Sequence, residues 1–106
     1  MRRAARKDEN HNELQAVLER LLAGHVTDLS ALGLGVGDLY ISFGGDPGPS
    51  FGIFAEVKKD SKASYTAHQI RFMNAHPGCV HRIETVDDAI RLAKFVREQV
   101  RILSAA

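Results

Sequence analysis

Residues 38–58 constrain this chain most: "DLYISF" (38–43), "GGDPGPS" (44–50) and "FGIFAEVK" (51–58) read as strand, turn and returning strand. The first run alternates and carries Tyr40, Ile41 and Phe43, side chains that suit a pleated surface. The middle is dense in glycine and proline, which supply the backbone angles of a hairpin loop. The third run is nearly continuous in apolar residues, the pattern of a strand covered on both faces, so it is expected at the centre of a sheet.

Helical periodicity brackets this hairpin. In "NHNELQAVLERLLAG" (10–24), Leu14, Val17, Leu18, Leu21 and Leu22 form one apolar stripe. Asn10 and Glu13 have the spacing of a capping box, and Gly24 marks the helix end. "HVTDL" (25–29) reads as a short strand ahead of the turn-prone "SALGLGVG". After the polar "KDSKAS", Thr66 opens "TAHQIRFMNAH" with Gln69 three positions on, a second capping-box spacing, and Ile70, Phe72 and Met73 are expected inward. "HPG" ends that helix, and "CVHRI" (79–83) is a short strand with Cys79 expected in the core. Thr85 caps a last helix in which Val86, Ala89, Ile90, Ala93, Val96, Val100 and Leu103 line one side. The order is helix, two or three strands, helix, strand, helix: an α/β domain on a small mixed sheet.

A length of 106 residues accommodates one core, here assigned to 10–106 behind a basic tail of residues 1–9. A single cysteine excludes an intramolecular disulfide and a paired-cysteine zinc site. No signal-peptide pattern and no apolar run of membrane-spanning length is present, so the cytoplasm is the expected location and no membrane partner is expected. The net charge of +1 points neither toward nor away from nucleic acid, but its distribution is uneven. Arg2, Arg3, Arg6 and Lys7 make the tail basic, and Lys58, Lys59 and Lys62 cluster after the apolar strand. Arg91, Lys94, Arg97 and Arg101 recur at helical spacing and read as a solvated face.

Chemistry-bearing patterns are few. The glycines of "GLGVGD" lead into a strand, whereas a dinucleotide fingerprint follows one and opens a helix, so no nucleotide cofactor is expected. They suit a turn or a close backbone approach. The histidines lack zinc-type spacing, and no nucleophile elbow occurs. Asp38, Glu56 and Lys58 remain. Strand alternation sets Glu56 and Lys58 on one face and Val57 on the other. If the hairpin pairs the strands, Asp38 comes close to Glu56. Two adjacent carboxylates repel unless a cation lies between them, and hard oxygen ligands suit Mg²⁺ or Mn²⁺. The Val57 carbonyl would be a third oxygen, with Lys58 placed to hold a water or offset charge on a phosphate. The rival reading is a cross-strand ion pair with Asp38 ending a turn.

Asp38 followed by "EVK" on the next strand resembles the PD-(D/E)xK nuclease motif. From about residue 6 to about residue 95 the chain resembles the small VRR-NUC-type nuclease domains of phages and bacteria. The likeness rests on the glycine-rich lead-in to Asp38, on "EVK", on "SYTAHQ" (64–69), and on a strand followed by "ETVDDAI". The resemblance implies a restriction-endonuclease-like αβββαβ core with an extra C-terminal helix. It further implies a metal-dependent DNA endonuclease using a metal-activated water. Asp38, Glu56 and the Val57 carbonyl would be ligands, Lys58 the catalytic lysine, and Gln69 a supporting residue. Glu13 would reach the metal through water. Gly37 stands where the motif's name has proline. Small relatives are thought to dimerise, some acting on branched DNA such as Holliday junctions; Lys59, Lys62, Arg71 and the basic tail are candidate phosphate contacts. The alternative is a non-catalytic DNA-binding or assembly module on a nuclease fold.

Overall fold

A computed structural model describes residues 9–33, 35–44 and 49–105. Along the chain it places α1 (His11–Leu22), β1 (Val26–Asp28), β2 (Leu39–Gly44), β3 (Ser50–Val57), α2 (Ala67–Ala75), β4 (Val80–Ile83) and α3 (Val86–Ala105). The strands form one four-stranded sheet in the order β1-β2-β3-β4. β1 pairs antiparallel with β2 and β2 antiparallel with β3, while β3 and β4 run parallel. The expected hairpin pairing and the interior position of β3 are both present. The hairpin turn itself, residues 45–48, and the tail residues Arg2, Arg3, Arg6 and Lys7 lie outside the described residues.

Cross-strand partners sort the side chains by face. Leu39, Ile41 and Phe43 alternate into the core and stand opposite Ala55, Ile53 and Phe51. Val57 and Ile83 continue that face. Against it pack α1, through Leu14, Leu18 and Leu22, and α3, through Ala89, Leu92, Ala93 and Val96. Removing each large aliphatic side chain from water here contributes about 2 kcal/mol. Leu92 joins the α3 stripe read from the sequence, and Ile90 sits half-buried at its edge.

The second face has a thinner cover. α2 buries no residue fully. It rests on the sheet through Phe72, whose ring meets Phe54 edge-on with centroids 5.1 Å apart. Phe72 and Met73 are half-buried, but Ile70, expected inward, is 49% exposed. The helix lies with a single ring seated, and Ile70 falls on its outer side.

Two further local expectations are corrected. Asn10 occupies the α1 N-cap position without a side-chain capping bond. Its amide instead donates to the Lys58 carbonyl at 3.0 Å and the Glu84 carbonyl at 2.7 Å, just beyond the ends of β3 and β4. Two carbonyls left over by the sheet outcompete the local box, so Glu13 has no capping partner in Asn10. Cys79 precedes β4 and is half-exposed; it is its backbone carbonyl that matters, accepting from Phe54 N at 2.7 Å. Helix α1 ends on Ala23, which takes a left-handed conformation (φ 48°) one residue before Gly24. Thr66 and Gln69 do form the reciprocal capping box on α2. Thr85 Oγ1 likewise accepts from Asp88 N at the start of α3, with Asp88 Oδ2 accepting from Thr85 N. No helix among the described residues is long and apolar enough to cross a membrane.

Candidate functional site

The β2–β3 register runs to Leu39 opposite Ala55, and its continuation by one residue sets Asp38, just before β2, opposite Glu56. The β3–β4 register places Arg82 beside Glu56. Asp38, Glu56 and Arg82 therefore lie abreast on the face away from α1 and α3, as alternation requires. Asp38 is fixed at both ends. Its carbonyl accepts from Leu29 N at 2.8 Å, and its Oδ2 accepts from Val57 N at 2.8 Å. The carboxylate thus reaches across the strand gap to the backbone next to Glu56.

Glu56 and Lys58 are 3% and 7% exposed, and carboxylates and ammonium groups are rarely buried this deeply unless partnered. Gln69 provides the partnership. Its Nε2 donates to Glu56 Oε1 at 2.7 Å, and its Oε1 accepts from Lys58 Nζ at 2.9 Å. The same oxygen accepts from Thr66 N at 2.8 Å, closing the capping box. With two donors facing the oxygen and a carboxylate facing the nitrogen, only one amide orientation satisfies all three bonds. The direct Lys58–Glu56 separation is 3.8 Å, so the amide carries the shorter contacts. Gln69, expected to cap α2, does so, and the same side chain bridges Glu56 and Lys58.

Two glycines make this approach feasible. At Gly35 (φ +81°) an added Cβ would lie 2.3 Å from the His68 carbonyl carbon and 2.7 Å from Gln69 N. The loop before Asp38 therefore presses against the first turn of α2 at the residue that bridges the pair. At Gly37 an added Cβ would lie 2.8 Å from Phe54 Cβ. The residue before Asp38 is small because β3 passes directly beneath it. The close backbone approach expected of these glycines is to their own domain.

Tyr65 and Arg82 were not singled out by sequence reasoning. The Lys58 ammonium lies 5.3 Å from the Tyr65 ring centroid, and the Arg82 guanidinium 5.1 Å. Arg82 Nε donates to Glu84 Oε2 at 2.6 Å, and Nη2 donates to the carbonyls of Asp60 at 2.8 Å and Ala63 at 2.7 Å. Burial works against its charge, but hydrogen bonds to Glu84 and Tyr65 outweigh it and hold the guanidinium above its usual pKa. Tyr65 had a signal, inside "SYTAHQ"; Arg82 had only strand alternation.

The remaining candidates are peripheral. Lys59, Lys62 and Arg71 are exposed around the site, with Lys62 N bonded to Asp60 Oδ1 in the intervening turn. Glu13 is exposed on the first turn of α1, the helix whose N-cap binds the Lys58 carbonyl. Among the described residues no three His, Cys, Asp or Glu side chains gather into a metal-holding group. The acid pair is therefore Asp38 and Glu56, with the Val57 carbonyl next to Glu56 in sequence. That all-oxygen set fits a small hard cation that retains several waters, and not a soft metal needing a full protein cage.

Comparison with protein-family models, with curated proteins and with solved structures gives no match to this chain.

Proposed function

We propose that this chain is a divalent-metal-dependent endonuclease that hydrolyses DNA phosphodiesters, built on a restriction-endonuclease-like αβββαβ core with α3 appended. The observation that carries the reading is the Asp38 carboxylate bonded to the β3 backbone at Val57 N, next to Glu56, beside a lysine held by a glutamine that also binds Glu56. An ordinary surface ion pair does not bury both members, and does not spend a helix-capping amide on orienting them.

In this reading Asp38, Glu56 and the Val57 carbonyl would hold Mg²⁺ or Mn²⁺, and Glu13 would contribute through water. Such an ion would supply Lewis acidity toward a bound water and the phosphate. Lys58 presents a fixed ammonium to the attacking water and to charge growing on the phosphate. Gln69 holds the carboxylate and ammonium at fixed positions, so neither reorganises during reaction. Lys59, Lys62, Arg71 and the N-terminal basic residues contact flanking phosphates. The substrate is DNA, with branched forms such as four-way junctions favoured, and the working form is a cytoplasmic homodimer.

The test is incubation of purified protein with supercoiled plasmid and with four-way-junction DNA, in Mg²⁺, Mn²⁺ or EDTA. Cleavage is expected in either metal, abolished by EDTA and by Asp38→Ala or Glu56→Ala. Cleavage that survives EDTA or either substitution overturns the mechanism. Retention of uncut DNA in all conditions points instead to a binding module.

A further inference from the structure

We infer that Tyr65 and Arg82 are positioning residues that set where the Lys58 ammonium stands. Such an ammonium, on a flexible four-carbon stem, needs more than one hydrogen bond to be fixed. Gln69 supplies one contact and the Tyr65 ring face a second, since a cation over an aromatic ring is attracted by its quadrupole. That ring is in turn located by Arg82, which lies over the same aromatic system.

Arg82 is itself committed. Its Nε is bound to Glu84, and its Nη2 to two carbonyls of the 60–63 turn. Those bonds staple the segment between Lys58 and Tyr65 to β4. Through these bonds Arg82 acts on the turn and the ring. The chain of support is β4 to Arg82, Arg82 to the turn and Tyr65, Tyr65 to Lys58. The second anchor is Gln69, which reaches Lys58 from α2. A planar fork with several donors performs this role and an ammonium does not, so lysine is no substitute at 82.

The catalytic part of this inference rests on the nuclease reading; the geometric part does not, and the experiment separates them. The Lys58 Cε methylene is bonded to the ammonium that lies 5.3 Å from the Tyr65 centroid, so its protons are expected upfield, and their signals are assigned by their loss in Lys58→Met. In Tyr65→Leu they move downfield, and in Arg82→Gln they move the same way while the folded spectrum is otherwise retained. Tyr65→Phe keeps the ring and leaves them near their original position. Cleavage measured in the same variants falls ~10- to 100-fold in kcat for Tyr65→Leu, Arg82→Gln and Arg82→Lys, with KM changed far less. Unmoved Lys58 resonances in either Tyr65→Leu or Arg82→Gln overturn the positioning role, whether or not the protein cuts DNA. Resonances that move in a protein whose wild type cuts nothing uphold the positioning and reject only the nuclease reading.

Discussion

Gln69 and Lys58 share a 2.9 Å hydrogen bond in which the amide oxygen accepts from the ammonium, while the other end of that amide donates to Glu56. A neutral side chain thus sits between two buried charges of opposite sign. The three groups behave as one unit, and perturbing any member leaves the others with unmet desolvation.

Substitution at 69 separates capping from bridging. Gln69→Ala loses both, and is expected to cost about 2 kcal/mol from the lost cap and the stranded polar atoms. Gln69→Glu keeps a capping-box residue but turns an acceptor toward Glu56 where a donor stood. It retains α2 helicity by circular dichroism yet loses cleavage ~10- to 100-fold. Wild-type cleavage by Gln69→Glu would show that the bridge does not matter.

The charge pair predicts non-additive stabilities. Glu56→Gln alone strands the Lys58 ammonium and costs about 3 kcal/mol; Lys58→Met alone strands the carboxylate at a similar cost. The double variant loses clearly less than the sum in urea unfolding. Simple additivity would mean that the two charges are stabilised separately.

Gly35 and Gly24 form a matched comparison. Both have positive φ, but an added Cβ at Gly24 meets nothing, whereas at Gly35 it strikes the His68 backbone. Gly24→Ala carries only the left-handed conformational cost, about 1 kcal/mol. Gly35→Ala is expected to exceed it severalfold and to depress cleavage by displacing Gln69. Equal melting temperatures for the two variants would remove the loop from the account of the site.

Two groups set separate acid limits. Burial lowers the His81 pKa below the usual 6.5, so the folded state resists its protonation. The unfolded chain binds that proton first, and stability falls as pH drops below 6.5 through the folded value. His81→Phe, packing against Phe95, removes this limb from a plot of melting temperature against pH. At Asp88 burial opposes ionisation, but hydrogen bonds from Glu84 N, Arg91 and Thr85 N outweigh it and hold the carboxyl below 3.8. Its contribution is complete above 3.8 and disappears as pH falls through the folded value. Asp88→Asn flattens that lower limb and leaves the upper one. Swapped limbs between the two variants would contradict both assignments.

What could be read in the sequence was local. The α1 and α3 stripes and the Thr66–Gln69 box follow from spacings of three and four residues, and the α/β order followed from them. Asp38 opposite Glu56 needed only strand alternation and a hairpin between. The rest depended on contacts distant along the chain. Asn10 abandons its cap for carbonyls 48 and 74 residues away. Arg82 reaches back 19 and 22 residues to a turn with no periodic signature. Ile70 is exposed because α2 seats one ring on the sheet, a fact of docking and not of helical pattern.

Helix α2 has no fully buried side chain, and much of its attachment is the polar bridge itself. Its amides should therefore exchange with deuterium through a local opening well below the global unfolding free energy, while α1 and α3 open only with the whole molecule. When α2 lifts, Gln69 leaves with it, and the glutamate and lysine lose their alignment in the same event. The helix is a reporter as much as a support: whatever engages Glu56 and Lys58 will register as slowed exchange along residues 67–75.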